Sequence, residues 1–310
     1  MRIVLTLLLC CSINLYASEP VVLKTETGNL YGELEIPESN FTGKVVLIIT
    51  GSGPTDRNGN SAIMQGKNNS LKMLAEDLAA NGIGSLRYDK RGIGLSKEAM
   101  VSEAELTFED FINDANEWIK MLVSDDRFTE VYVLGHSQGA LIASVLAVEQ
   151  PTIKAAILVS GTCQSADEII QTQLKSLPEG LQIEARQVME SLRQGKTVPE
   201  VTMFLASIFR PSVQPFLISW MKFQPKEYMV KTKVPVLVVH GENDIQVPDW
   251  HADSLVAVNE TAKLFRVTGM NHVLKDAPMQ RDANLATYSN PDLKLSAGLV
   301  DGIAGFIKSN

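Results

Sequence analysis

Residues 131–139 read Val-Tyr-Val-Leu-Gly-His-Ser-Gln-Gly, and the helix-forming run Leu141–Val148 follows them. Val131–Leu134 is short and apolar, the pattern of a strand buried on both faces. Gly135-His136-Ser137-Gln138-Gly139 then fits G-x-S-x-G at a strand-to-helix junction. Glycines let the backbone turn sharply enough to project Ser137 from the carboxyl end of the strand. The helix after it aims its N-terminal amides at the same point, where they favour developing negative charge. The competing reading is an ordinary glycine-rich turn, and the flanking strand and helix count against it.

Outward from this junction, strand and helix patterns alternate. Lys44–Thr50, Ile83–Tyr88, Ala155–Val159, Val236–Val239 and Lys263–Val267 read as strands. Leu71, Leu74, Ala75 and Leu78 recur at helical spacing before Asn81-Gly82, and Phe108 to Leu122 carries one apolar helical stripe. Residues 21–25 and 30–36 alternate as a hairpin, with Gly28-Asn29 expected as its turn. Such alternation implies right-handed βαβ units and an α/β fold, with a mostly parallel sheet flanked by helices. From about Ser165 to Lys231 the patterns are helical only, which reads as an insertion between two strands.

The 310 residues include 28 Lys+Arg against 36 Asp+Glu, for a net charge of −8, with 45% hydrophobic residues. That composition excludes a disordered chain. It also speaks against a nucleic-acid partner, since phosphate binding draws on Lys and Arg. Arg2, the apolar run Ile3–Ile13 and the small residue Ala17 fit a signal peptide over residues 1–17. The run is short for a transmembrane helix, and no stable membrane insertion is expected of residues 18–310. Export to the periplasm or beyond is the corresponding expectation. Cys10 and Cys11 would leave with the peptide, so Cys163 would be the sole thiol, without a partner in its own chain. No His/Cys/Asp cluster has metal spacing, and neither metal nor cofactor is expected.

A serine needs a base, and the base needs an orienting acid. Only four histidines exist. His136 adjoins Ser137 and is expected to point away into the scaffold. His240 ends a strand and reads as structural, and His251 at a helix start reads as surface. His272, in the loop Gly269-Met270-Asn271-His272 after a strand, can reach the serine. Asp244 lies just past the strand Val236–Val239 and is the candidate acid, with Glu242 and Asp249 as alternatives. The backbone N–H groups of Gln138 and Ser52 are the candidate oxyanion donors, with Gly53 second to Ser52. Pro54 has no N–H to offer.

These residues give the chain a resemblance. GSGPTDRNGN (51–60), RYDKRGIGLS (87–96), GHSQG (135–139), HGENDIQVP (240–248) and GMNH (269–272) resemble the α/β-hydrolases with a helical cap, of the serine-esterase and serine-aminopeptidase-like group. The resemblance implies Ser137 as nucleophile, Asp244 as acid and His272 as base. It implies that Asp89 and Arg91 brace loops near the site. The insertion 165–231 would be the cap, with Phe204, Phe216 and Trp220 as candidate substrate-binding residues on an apolar roof. The expected activity is hydrolysis of carboxylic esters or thioesters. A serine peptidase, an acyltransferase and a catalytically silent binding protein are the alternatives.

Overall fold

The computed structural model describes residues 16–100 and 102–310. The signal-peptide reading of residues 1–17 therefore lies almost wholly outside the described residues. Among these described residues eight strands form one sheet: β1 (Tyr16–Thr25), β2 (Gly28–Pro37), β3 (Lys44–Ile49), β4 (Gly84–Tyr88), β5 (Glu130–His136), β6 (Ile153–Val159), β7 (Val236–Gly241) and β8 (Ala262–Val267). Their order is β1-β2-β4-β3-β5-β6-β7-β8. The β1–β2 and β2–β4 pairs are antiparallel, and every later pair is parallel.

The hairpin turn is Glu26-Thr27, two residues earlier than the sequence suggests, and Gly28 already opens β2. A tertiary contact sets this position. Thr27 Oγ1 donates to the Ala99 carbonyl at 2.6 Å, and a Cβ on Gly28 would sit 3.0 Å from Ala99 Cα. Gly28 holds φ +146° in that close approach, a conformation that glycine tolerates.

Strand alternation divides the core. Val45, Leu47, Ile49, Val131 and Val133 face one layer, while Val46, Ile48, Tyr132 and Leu134 face the other. Helices α1 (Ser70–Ala80), α2 (Phe108–Val123) and α3 (Gln138–Glu149) follow β3, β4 and β5. Five short helices, α4 (Ala166–Leu174), α5 (Glu179–Arg193), α6 (Ala206–Phe209), α7 (Gln214–Trp220) and α8 (Pro225–Lys231), fill the segment between β6 and β7. Then come α9 (Trp250–Val256), α10 (Arg281–Ala286) and α11 (Leu299–Ser309). The first layer is covered by α2, α3 and α9, and the second by α1 and α11. The inserted helices carry a third cluster of their own, including Ile170, Ala185, Met189, Leu205 and Phe209. Among the described residues, no helix is long and apolar enough to cross a membrane.

Candidate active site

Ser137 stands between the last residue of β5 and the first of α3, with φ 55° and ψ −119°. A side chain in that region costs on the order of 1–3 kcal/mol, and the surroundings must hold it there. Its N–H donates to the Val159 carbonyl at 2.9 Å. A Cβ on Gly135 would collide with the Gly139 carbonyl, and a Cβ on Gly139 with the carbonyls of Ile49 and Thr50. Two glycines are therefore steric requirements of this turn. A third, Gly51, lies opposite, where a Cβ would come 3.2 Å from that of Ser137. Because β5 lies between β3 and β6, the loops leaving those two strands flank the serine.

Asp244 follows β7, and His272 follows the neighbouring β8. His272 Nδ1–H donates to Asp244 Oδ2 at 2.8 Å, and both side chains are buried. Asp244 Oδ1 accepts the N–H groups of Gln246 (2.8 Å) and Val247 (3.0 Å). Burial alone would raise the Asp244 carboxyl. The His272 ring and the two backbone donors outweigh it and hold the group down at about 2. The carboxylate thus fixes the His272 tautomer, with Nε2 free to accept a proton. Glu242 and Asp249 do not take this place: Glu242 is exposed, and Asp249 pairs with Arg266 at 3.1 Å.

The loop carrying His272 is anchored on several sides. Asn271, fully buried, donates to Thr287 Oγ1 at 2.7 Å and accepts the Lys275 N–H at 3.1 Å. His136 does not point away from the site, as the sequence suggested. Its Nε2–H donates to the His272 carbonyl at 2.8 Å, with the two rings 4.9 Å apart. Burial, with the neighbouring His272 ring adding to it, lowers the His136 imidazole to about 4, so it is a neutral brace. His240 donates to the Val247 carbonyl at 3.1 Å and holds the Asp244 loop from behind.

The amide of Gln138 is the first in α3, so it has no partner within the helix. The Gly51–Gly53 loop is held through its carbonyls. Lys90 Nζ donates to Gly51 O at 2.6 Å and to Gly53 O at 3.3 Å, and Thr55 Oγ1 donates to Ser52 O at 2.9 Å. This leaves the Ser52 N–H without a protein acceptor among the described residues. Lys90 is 2% exposed, and burial lowers its ammonium to about 8. It escaped the sequence reading because a lysine in RYDKRGIGLS resembles any surface cation. Asp89 and Arg91 are braces too. Asp89 accepts the Arg57 N–H at 2.8 Å and the Leu95 N–H at 2.9 Å, and Arg91 pairs with Asp114 at 2.5 Å.

Ser137 and Ser52 border two cavities. The larger, about 240 Å³, is lined by His272, His136, Ser61, Ile63, Met64 and Tyr288 among others. The smaller, about 170 Å³, lies under the inserted helices and includes Gln138, Thr162, Ile169, Gln173, Trp220 and His251. Of the three expected roof residues only Trp220 lines either space. Phe204 is 73% exposed and borders neither cavity. Phe216 is spent on packing between the insertion and α2, against Phe108, Phe111 and Trp220. Phe216 and Trp220 pack against both the insertion's own cluster and the core that α2 covers. His251 also departs from its reading as a surface residue. It is 5% exposed, because Thr162 and Cys163 close on its Nδ1 from the loop after β6 while the Trp250 ring stacks on it with centroids 3.7 Å apart.

No group of three or more metal-ligating side chains occurs among the described residues. Neither cavity wall includes an Asp or Glu among them.

Residues 64–208 match a family model described as "Serine aminopeptidase, S33". Esterase EstD of Thermotoga maritima is 27% identical over 261 residues, which is 79% of this chain and 58% of that protein. This chain therefore spans little more than half the length of that relative. Among solved structures, Est1E of Butyrivibrio proteoclasticus with bound ferulic acid superposes with a TM-score of 0.62 at 19% identity. The match covers 93% of this chain and 96% of that one. A proline iminopeptidase of Mycobacterium smegmatis gives 0.59 at 14% identity, covering 94% and 98%. At such identities the two structures establish a common fold.

Proposed function

We propose that this chain, which belongs to the α/β-hydrolases, hydrolyses carboxylic esters or thioesters through an acyl-enzyme on Ser137. The observation that carries the reading is the buried 2.8 Å contact between His272 Nδ1 and Asp244 Oδ2, with His272 on the same cavity wall as Ser137. In the first half-reaction Ser137 Oγ attacks the carbonyl carbon and its proton passes to His272 Nε2. The tetrahedral oxyanion receives the amides of Ser52 and Gln138. The bond to the leaving oxygen or sulfur breaks as His272 returns the proton to it. Water then attacks the acyl-enzyme by the same route, releasing the acid and Ser137. Asp244 stays ionised throughout and stabilises the imidazolium.

The substrate class is supported by the named esterase relatives and by the walls of the site. A peptidase that selects a free amino terminus needs a carboxylate to receive it, and neither cavity wall offers one. A panel of 4-nitrophenyl esters tested beside aminoacyl 4-nitroanilides decides the matter. Ester turnover lost in Ser137→Ala, with no anilide turnover, is the expected result. Preferential cleavage of the anilides would overturn the ester reading. Ser137 labelling by a fluorophosphonate separates any hydrolase from a silent binding protein.

We also propose export, with cleavage near Ala17 and a mature chain starting near Ser18. The apolar run Ile3–Ile13 supports it. N-terminal sequencing of protein from the secretory compartment tests it. A chain that still begins at Met1 in the soluble cytoplasm would sink the idea.

A further inference from the structure

The smaller cavity has a wall that the proposed chemistry does not use. His251, Thr162 and Gln173 line it together with Ile169, Trp220 and Ser137. The Cys163 N–H donates to His251 Nδ1 at 3.3 Å, and Thr162 Oγ1 lies 3.2 Å from the same atom. A backbone N–H can only donate, so Nδ1 is the acceptor and the neutral ring carries its proton on Nε2. That Nε2–H has no protein acceptor among the described residues. The Trp250 stack and the Cys163 backbone fix the ring, and His251 lines the cavity.

If the chain hydrolyses esters as proposed above, the two cavities take different halves of the substrate. His272 must return its proton to the leaving oxygen, so the leaving group lies in the cavity that His272 lines. The acyl group is then assigned to the other cavity. At about 170 Å³ it falls below the roughly 300–1,000 Å³ of sites for drug-sized ligands, which restricts it to short acyl groups. We propose that the cavity under the inserted helices holds a short acyl group bearing an oxygen substituent, hydroxyl or carbonyl, that accepts a hydrogen bond from His251 Nε2. A hydrocarbon acyl group of the same shape leaves that donor buried and unpaired, which is how polar sites reject apolar analogues.

The test uses two near-isosteric substrates, 4-nitrophenyl 3-hydroxybutanoate and 4-nitrophenyl 3-methylbutanoate, with 4-nitrophenyl acetate as reference. The expected result is a kcat/KM at least about tenfold higher for the hydroxy ester. His251→Phe, or His251→Leu should the first fail to fold, is expected to bring the two esters within about twofold of each other. His251→Gln keeps a side-chain N–H and should retain an intermediate preference. Equal or reversed preference in the unmodified enzyme overturns the proposal. So does a preference that survives both the Phe and the Leu substitution. Acetate turnover without hydroxy preference refutes the role of His251 alone. Absence of turnover of all three esters refutes the ester reading and this inference with it.

Discussion

In the proposed mechanism a hydroxyl, an imidazole and a carboxylate act as one unit, so their substitutions should not add. Ser137→Ala and His272→Ala are each expected to lower kcat by roughly 10⁶-fold, and the pair together by scarcely more. Asp244→Asn should lower kcat by roughly 10⁴-fold, because the amide can present the wrong group to Nδ1 and release the tautomer. Ser137→Ala removes one hydroxyl from a turn that already tolerates φ 55°, so its melting temperature should match the unmodified protein. Under the same proposal Lys90 is a positioning residue whose loss has a different signature. It touches no reacting atom, but it holds the carbonyls on either side of Ser52. Lys90→Met should lower kcat by about 10–1,000-fold through a loosened oxyanion donor, with KM changed only a few-fold. A rise in KM at constant kcat would refute that role.

At the scale of elements, the turn between β5 and α3 leaves no room for growth. Gly139→Ala drives a Cβ into the carbonyls of Ile49 and Thr50, and so should lose stability and activity together. Helix α7 serves two ends. Phe216 packs against Phe108 and Phe111 of α2, whereas Trp220 both stacks on Phe108 and borders the smaller cavity. Phe216→Ala is expected to cost about 3–5 kcal/mol of stability and to leave the relative rates on acyl groups of different length unchanged. Trp220→Ala should lower stability as well, and also shift those relative rates by about 10-fold or more toward longer acyl groups. Denaturant unfolding and an ester panel on the same two proteins check both statements.

At the scale of the whole molecule, acid is the expected weakness. Burial, aided by neighbouring histidines, lowers both His136 and His251 to about 4, and burial also lowers His240. Between pH 6.5 and 4 the unfolded chain holds protons on His136 and His251 that the folded chain refuses. Stability therefore falls as pH drops through that window, by up to about 3 kcal/mol for each of the two groups. Asp244, held at about 2, adds a loss of the same sign below the ordinary carboxylate range. Melting temperatures at pH 7.5 and pH 5 should differ by several degrees, and His251→Gln should flatten the difference. A melting temperature that rises on acidification would contradict these burial assignments.

Local pattern determined the elements, because a strand buried on both faces and an amphipathic helix each leave their own period in the residues. It also determined that Ser137 sits on a turn where glycine is obligatory, and that Asp244 and His272 each follow a strand end. Sheet order decided what those ends meet, since no spacing reveals that β7 and β8 are neighbours, or that β3 and β6 flank β5. The same limit explains the departures. His251 looked like a surface residue and His136 like a scaffold residue, because what covers or touches them arrives from other parts of the chain. Phe204, Phe216 and Trp220 are alike in sequence as aromatics of one helical segment, yet one is exposed, one is core and one borders the cavity. Their hydrophobicity required burial somewhere in two cases of three, and only the packing of α7 on α2 decided where.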